Sequence, residues 1–494
     1  MNTRLICKII GAILMIESAF MILPLIVALI YKENDWNYFL ITILFAGGVG
    51  AGMFLVKLKS TKIYAKEGLF IVGIAWVVMS LIGAVPYFIS GFLPDFINAF
   101  FESVSGFTTS GITIVPDVES ASHAMLFWRS MTHWIGGMGV LMFMLAISPI
   151  VGGASIHLMR AESPGPTTEK ITPKISQTAK VLYIMYFVLT AVQIIALMIS
   201  GLSLFQSTLI SFGTLATGGF SYLNSSLAAF TVAQQIIVEV FMLLAGINFS
   251  LYFLVLTGKT RKVLKDIELR WYLIIVFAAT AMISANVFFA GRQFDTPGEA
   301  IHQSVFAVLS SLTSTGFSAC DYNMWPGFSQ VLIVMLMFIG GCAGSTAGGI
   351  KVSRFVLLFK SLKNSILESV NPKRVRSVRY NDKTVPEPVI KTTMTYFGIV
   401  FLILIVSMII VSLEPGMDIS TSLASVATTL NNNGIELKNP AVGNLWTLSW
   451  WTRLVYIIDM LIGRLEIFPI FALFIYLLQP VNTLAKKLKR KADN

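Results

Sequence analysis

Uninterrupted apolar runs dominate the chain. The longest, at 7–30, 38–56, 181–200, 272–290 and 389–413, are each near the ~20 residues a helix needs to span a bilayer. After the first two runs, one order recurs four times. A long apolar run is followed by a shorter apolar stretch, a polar glycine-bearing string and a second long run. The strings are SGFTTSGIT at 105–113, TLATGGFSY at 214–222, SLTSTGFSA at 311–319 and TTLNNNGIE at 428–436. Aligned on Gly111, Gly219, Gly316 and Gly434, they are 108, 97 and 118 residues apart. Such a period marks an internal repeat.

The pattern predicts an all-α membrane protein. Two helices, about 5–30 and 36–58, precede the repeats. The first helices of the four units fall at 68–90, 180–200, 271–291 and 389–413, the second at 123–152, 230–257, 327–360 and 447–478. The short stretches, FINAFFESVSGF, LFQSTLISFGTL, AIHQSVFAVLSSL and ISTSLASVATTL, are too short to cross and read as re-entrant half-helices. Irregular backbone at membrane depth is tolerated only where protein buries it or it lines a water-filled cavity. Four such strings therefore imply one shared cavity. The expected organisation is an N-terminal extension (1–60) and pore repeats at 61–160, 161–262, 263–385 and 386–494. It comprises ten spanning helices and four pore helices around a central pore.

Composition agrees: of 494 residues, 55% are hydrophobic and 12% charged, against about 25% charged in soluble domains. The first run exceeds a signal-peptide core and reads as a retained helix. Cys7, Cys320 and Cys342 suggest neither a disulfide framework nor a metal site. A net charge of +11 is compatible with nucleic-acid binding, but its placement is topological. Of 36 Lys and Arg, 28 fall at the N-terminus and in 57–67, 157–180, 259–270, 360–391 and 481–494. The alternate connections 31–37, 291–299 and 413–420 hold only Lys32 and Arg292. The positive-inside rule puts both termini in the cytoplasm.

Glycine reaches backbone dihedrals that aim successive carbonyls at one axis, and carbonyl rings replace a cation's hydration shell. Small hydroxyl residues flank the glycines: Thr108, Thr109, Ser110, Thr217, Thr313, Ser314 and Thr315. Half-helices ending there present negative dipole ends. With no carboxylate in the first three strings, a monovalent cation fits best.

The repeat order and strings, with RSMTHWIGGMGV at 129–140, GGCAGSTAGGIK at 340–351 and GRLEIFPI at 463–470, resemble the Trk/Ktr/HKT superfamily of potassium transporters. Within it the chain is most similar to the bacterial TrkH-type subunits, over nearly its whole length. The resemblance implies K⁺ as substrate and Gly111, Gly219, Gly316 and Gly434 as filter glycines. The strings Thr108–Gly111, Ala216–Thr217–Gly218–Gly219, Thr313–Gly316 and Asn431–Asn432–Asn433–Gly434 then make the filter. Thr109, Ser110, Thr217, Gly218, Ser314, Thr315, Asn432 and Asn433 would contact the ion. The asparagines and Ala216 depart from the other strings, and Ile435 stands where many relatives of the family would have proline, so K⁺ over Na⁺ preference stays open.

Five glycines in 340–349 would each cost about 1 kcal/mol in a helix, so the helix should break there. Close packing through small residues is the competing reading. The family implies a mobile gate involving Gly344, Ser345, Thr346, Gly348 and Gly349, with Arg464 in the conduction path. Arginine at a helix centre costs roughly 2.5–3.5 kcal/mol and needs water or a partner; Asp459 and Glu466 are the alternative partners. Ser345 and Thr346 are expected to satisfy freed backbone groups. Lys351 and Arg354 read equally as inner-face anchors. Asp117, Asp321 and Glu436 either enrich cations at the outer mouth or are solvated loop residues. Arg129 is expected at a headgroup or interface, and the four histidines are assigned no chemistry.

The basic stretch NPKRVRSVRYNDK at 371–383 suits anionic lipid. The family adds a cytoplasmic TrkA-type nucleotide-binding ring, a homodimer and the bacterial inner membrane. The chain has no nucleotide motif and no nucleophile–base or metal-ligand set, so neither an organic cofactor nor an enzyme is expected. The alternatives are a Na⁺-permeable pore of the same fold and a carrier for an organic solute. The carrier would need one or two discontinuous sites where this chain has four matched strings.

Overall fold

A computed structural model describes residues 2–58, 65–137, 139, 175–371, 377–381, 383–435, 437 and 445–475. Glu436, the 481–494 tail, the basic link 157–174 and the end of the 123–152 helix lie outside them. Among the described residues the regular elements are helices and one two-stranded ribbon, Arg379–Tyr380 with Lys383–Thr384. Six helices among the described residues are long and apolar enough to cross a membrane, or seven if one bent pair is a single span.

The N-terminal extension folds as an antiparallel pair. Thr3–Phe20 begins under the Asn2 side chain, which accepts from the Leu5 amide, and continues as Ile22–Tyr31. Lys32 in the left-handed conformation stops it, and Trp36–Phe54 returns. The two helices cross where both lack a side chain. A Cβ on Gly11 would lie 2.6 Å from the Gly50 carbonyl oxygen and 2.7 Å from the Phe54 amide nitrogen.

Four helical units follow. Their entry helices are Ala65–Ile89, Ile175–Ile199, Ile267–Asn286 and Glu387–Val411. Their short helices are Phe96–Phe107, Leu204–Leu215, Pro297–Leu312 and Ile419–Leu430. Each short helix starts on a side-chain cap: Asp95, Ser203, Thr296 or Asp418 accepts from a backbone amide of the first turn. Caps of this kind satisfy donors that a helix leaves unpaired. The last halves of the short helices are buried, which explains why they tolerate many small and hydroxyl residues.

Of the four exit helices only the third was expected to break. His123–Gly137 is described for its first part only. The second exit helix, Val232–Ala245, turns by 91° into Phe249–Leu256. The third is broken between Gly327–Phe338 and Val352–Val370, at the predicted glycine run. The fourth, Trp450–Leu465, ends on two consecutive left-handed residues, Glu466 and Ile467, before a helix resumes at 468–475. The break in the second exit helix was not foreseen, and its cause is the third. The Gly246 carbonyl freed there accepts from Cys342 N at 2.8 Å, and Phe249 N donates to the Gly344 carbonyl at 3.1 Å. Backbone groups at membrane depth must find protein partners, and here two broken helices supply each other.

Gly11→Val should overpack the N-terminal crossing, at a cost of about 1–3 kcal/mol, and lower the thermal midpoint of the detergent-purified protein. Gly48→Ala, where an added Cβ meets nothing within 4 Å, should leave that midpoint unchanged.

Candidate functional site: a ring of four strings above a loop

Each short helix ends in the same way. The second residue of each string lies in the left-handed region: Thr109 (φ 55°), Thr217 (54°), Ser314 (56°) and Asn432 (52°). The next amide then reaches back to the last helical turn, as in Ser110 N to Ser105 O at 2.9 Å and Asn433 N to Thr428 O at 2.9 Å. Non-glycine residues pay roughly 1–2 kcal/mol for this conformation, so its fourfold recurrence is a built feature. Three of the string glycines also have positive φ: Gly111 (78°), Gly219 (79°) and Gly316 (84°). Gly434 does not, which separates the fourth string from the rest by backbone as well as by sequence.

The strings close on one another. A Cβ on Gly111 would fall 1.9 Å from the Gly218 oxygen, and one on Gly219 would fall 2.0 Å from the Thr315 oxygen. A Cβ on Gly316 would lie 2.3 Å from the Gly434 nitrogen, and one on Gly434 would lie 3.3 Å from the Gly111 carbonyl carbon. String one therefore meets two, two meets three, three meets four, and four meets one. Thr108, Thr109, Ser110, Ala216, Thr217, Thr313, Ser314, Thr315, Asn431, Asn432 and Asn433 are all buried, and Gly111, Gly219 and Gly434 are partly open. Here the aligned glycines are needed because a neighbouring backbone occupies the space of their side chain.

Hydroxyls strap the strings to their own helices. Ser105 donates to Ile112 O at 2.5 Å, Ser310 to Phe317 O at 2.6 Å and Thr428 to Ile435 O at 3.2 Å. The second unit has Gly213 at this place. Thr108 and Thr313 donate to carbonyls four residues back, each at 2.7 Å, and the Asn431 amide does so at 2.8 Å. Ala216 cannot.

Arg129 is not at an interface, contrary to expectation. It lies behind the ring with only 1% of its surface exposed, and its Nε donates to Glu102 Oε1 at 2.7 Å. Glu102 also accepts from Ile114 N at 2.9 Å and Thr113 Oγ1 at 3.0 Å. Arg129 itself bonds Thr113 Oγ1 at 3.0 Å and Ser221 O at 3.3 Å and covers the Phe220 ring. This buried pair joins strings one and two. Opposite charges in two apolar runs of one unit were the signal in the sequence. His133 is likewise structural: its Nδ1 is 2.7 Å from Gly106 O, and its ring fills the space a Gly218 side chain would need.

The glycine run forms a loop beneath the ring. Its ends are held together, Gly340 N donating to Ile350 O at 2.9 Å and Ile350 N to Phe338 O at 3.1 Å. Gly344 (φ 75°) and Gly349 (65°) turn it. Gly348 N donates to Ser314 Oγ at 2.5 Å, and a Cβ on Gly348 would fall 2.5 Å from Asn431 O. Ser345 donates to Cys342 O at 2.6 Å, and Thr346 to Leu215 O at 2.9 Å and Ala245 O at 3.3 Å. Both hydroxyls therefore satisfy backbone groups at breaks. Arg464 ties loop to ring, donating to Thr109 Oγ1 and Thr346 O at 3.0 Å and to Gly136 O at 2.8 Å. The two carboxylates once available to it bond elsewhere: Asp459 accepts from Ser407 at 2.8 Å, and Glu466 pairs with Arg354. Lys351 is buried and donates to Ala347 O, so neither it nor Arg354 is a free inner-face anchor.

On the other side of the ring, Asp117 accepts from Asn224 Nδ2 at 2.7 Å, and this bond holds its carboxyl below the usual range. Asp321 accepts from Asn323 N at 2.9 Å within its own turn. Both carboxylates thus shape loops.

A long helical membrane chain whose four short helices end on a closed backbone ring is a transport protein in its architecture. The TrkH family model, described as a cation transport protein, matches residues 33–484. The Trk system potassium uptake protein TrkH of Escherichia coli is 35% identical over 480 residues, covering 96% of this chain and 99% of that protein. An uncharacterized cation transporter of Methanocaldococcus jannaschii is 31% identical, covering 98% and 97%. The crystal structure of the potassium transporter TrkH from Vibrio parahaemolyticus superposes with a TM-score of 0.86 at 31% identity, covering 96% of this chain and 98% of that one. The chain belongs to the TrkH family of cation transport proteins.

Breaking the buried pair with Glu102→Ala should cost about 3–5 kcal/mol by stranding Arg129. The double variant with Arg129→Leu should lose less than the sum of the two single variants. Thermal unfolding of all three in detergent measures this coupling.

Proposed function

We propose that this chain is the pore-forming membrane subunit of a Trk-type system and conducts K⁺ into the cytoplasm. The carrying observation is the closed ring of four strings with a left-handed residue at the same place in each. The four strings act as a selectivity filter of backbone carbonyls, with one string from each pore repeat. The short helices direct the negative ends of their dipoles at it. The repeats at 61–160, 161–262, 263–385 and 386–494, with ten spans in all and both termini in the cytoplasm, are part of this reading. So are an inner-membrane location and the placing of K⁺ at Thr109, Ser110, Thr217, Gly218, Ser314, Thr315, Asn432 and Asn433.

The loop 340–350 and Arg464 form the gate. A guanidinium about 5 Å from a passing cation opposes it by roughly 3 kcal/mol at an effective dielectric near 20. That is about two orders of magnitude in rate. The breaks on either side of the loop give it somewhere to move. The relatives' membership of a Trk system supports a second component, which we assign as a TrkA-type nucleotide-binding subunit on the cytoplasmic face. A homodimer completes the assembly.

Liposomes containing the purified protein should take up ⁸⁶Rb⁺ in competition with K⁺ more than with Na⁺, and Gly316→Ser should relax that preference. Equal competition by Na⁺ in the unaltered protein would replace the K⁺ assignment with a Na⁺-permeable pore. In the same assay Arg464→Ala should raise uptake by at least tenfold, and unchanged uptake would remove Arg464 from the gate.

A further inference from the structure

We propose that Glu268 is the latch that holds the intramembrane loop closed, and that the cytoplasmic ribbon at 378–385 is the lever that bears on it. The proposal rests on the gate assigned above and adds how that gate is held and from where it is moved.

Glu268 is the second residue of the third entry helix, Ile267–Asn286, and its side chain is buried. One carboxylate oxygen, Oε1, accepts from the loop and from the helix that follows it: Ala343 N at 2.8 Å and Ser353 N at 2.9 Å. Ala343 lies near the loop's start. Ser353 lies in the first turn of Val352–Val370, whose cap residue Lys351 makes no side-chain capping bond. Glu268 therefore supplies, from another helix, the acceptor that the helix N-terminus lacks. A carboxylate there meets the positive end of the dipole as well as an unpaired donor. Bonds to a charged acceptor are about twice as strong as neutral ones. Swinging the loop away from the ring must strain or break one of these two, because Ala343 lies within the glycine run and Ser353 lies on the helix beyond it.

The same carboxylate faces the cytoplasmic ribbon. Tyr380 is buried in one apolar cluster with Leu269 and Tyr272 of the helix that bears Glu268, close enough for that carboxylate's charge to act on its phenol. The ribbon is also bonded to the elements that carry the latch. Asn381 donates to Asp266 Oδ2 at 2.7 Å and accepts from Ile267 N at 3.0 Å, capping the helix that bears Glu268. Lys360, on the helix after the loop, donates to Arg379 O at 2.8 Å. A force on the ribbon thus reaches Glu268 through Tyr380 and Asn381, and the loop through Glu268.

The test uses the full chain in liposomes with Cys7→Ser and Cys320→Ser, which leaves Cys342 in the loop as a fully buried reporter. The readouts are the rate of Cys342 modification by a water-soluble methanethiosulfonate and basal ⁸⁶Rb⁺ uptake. Glu268→Gln should speed both by about tenfold, the worth of one charge-assisted hydrogen bond. Tyr380→Phe should speed both by less. The K⁺-against-Na⁺ competition should not move, since the ring is untouched. If Arg464→Ala raises uptake while Glu268→Gln and Tyr380→Phe leave labelling and uptake as they were, the latch is wrong and the gate stands. If Arg464→Ala also leaves uptake unchanged, the gate falls and the latch with it. Should Glu268→Gln not be recovered as folded protein, Tyr380→Phe carries the same comparison.

Discussion

Every break in a helix at membrane depth frees amides and carbonyls that lipid cannot satisfy, and this constraint organises the molecule. The second and third exit helices are interrupted at the same level, and the carbonyl of Gly246 and the amide of Phe249 are taken up by Cys342 and Gly344. Neither interruption would be tolerable alone. Thr346 and Ser345 supply hydroxyls to further carbonyls there, and Gly348 takes the hydroxyl of Ser314. The irregular core of the protein is thus one hydrogen-bonded body made from pieces of several helices.

The ring depends on a related economy. A left-handed residue at the end of each short helix reverses the chain within one turn and lets an amide return to the helix it has just left. The glycine two residues later is then held against the neighbouring string, with no room for a Cβ at Gly111, Gly219 and Gly316 and a tight 3.3 Å approach at Gly434. Strain at Thr109, Thr217, Ser314 and Asn432 persists because the surroundings over-determine it, as is common where backbone serves a function. Gly434 escapes the left-handed requirement, so the fourth string joins the ring by close approach alone.

Buried and half-buried arginines mark the seams of this body. Arg129 joins the first two strings through Glu102, Arg464 joins the first string to the loop, and Arg354 joins the two late exit helices through Glu466. Glu466 and Ile467 are both left-handed, so this last ion pair staples one broken helix to another. A buried charge is costly unless fully partnered, and each of these is held by several acceptors or by a carboxylate. Charge here fixes the relation between segments that have no continuous helix to do so.

Much of the fold was legible from residue pattern. Apolar run lengths defined the entry helices, stretches too short to cross marked the short helices, and the hundred-residue period announced four strings. The glycines at 340–349 announced a break because helix propensity alone forbids them. These signals are local, resting on dihedral preference and on the length of chain a bilayer demands. The 91° turn after Ala245 was invisible, since VAQQIIVEVFMLLAGINFSLYFLVL reads as one apolar run and only the inserted loop breaks it. Arg129 with Glu102, and Glu268 with Ala343 and Ser353, are partners 27, 75 and 85 residues apart. Sequence by itself determined where the backbone would be irregular, because that is a property of each residue. Tertiary structure alone decided which group would satisfy which, because a hydrogen bond depends on where distant segments meet.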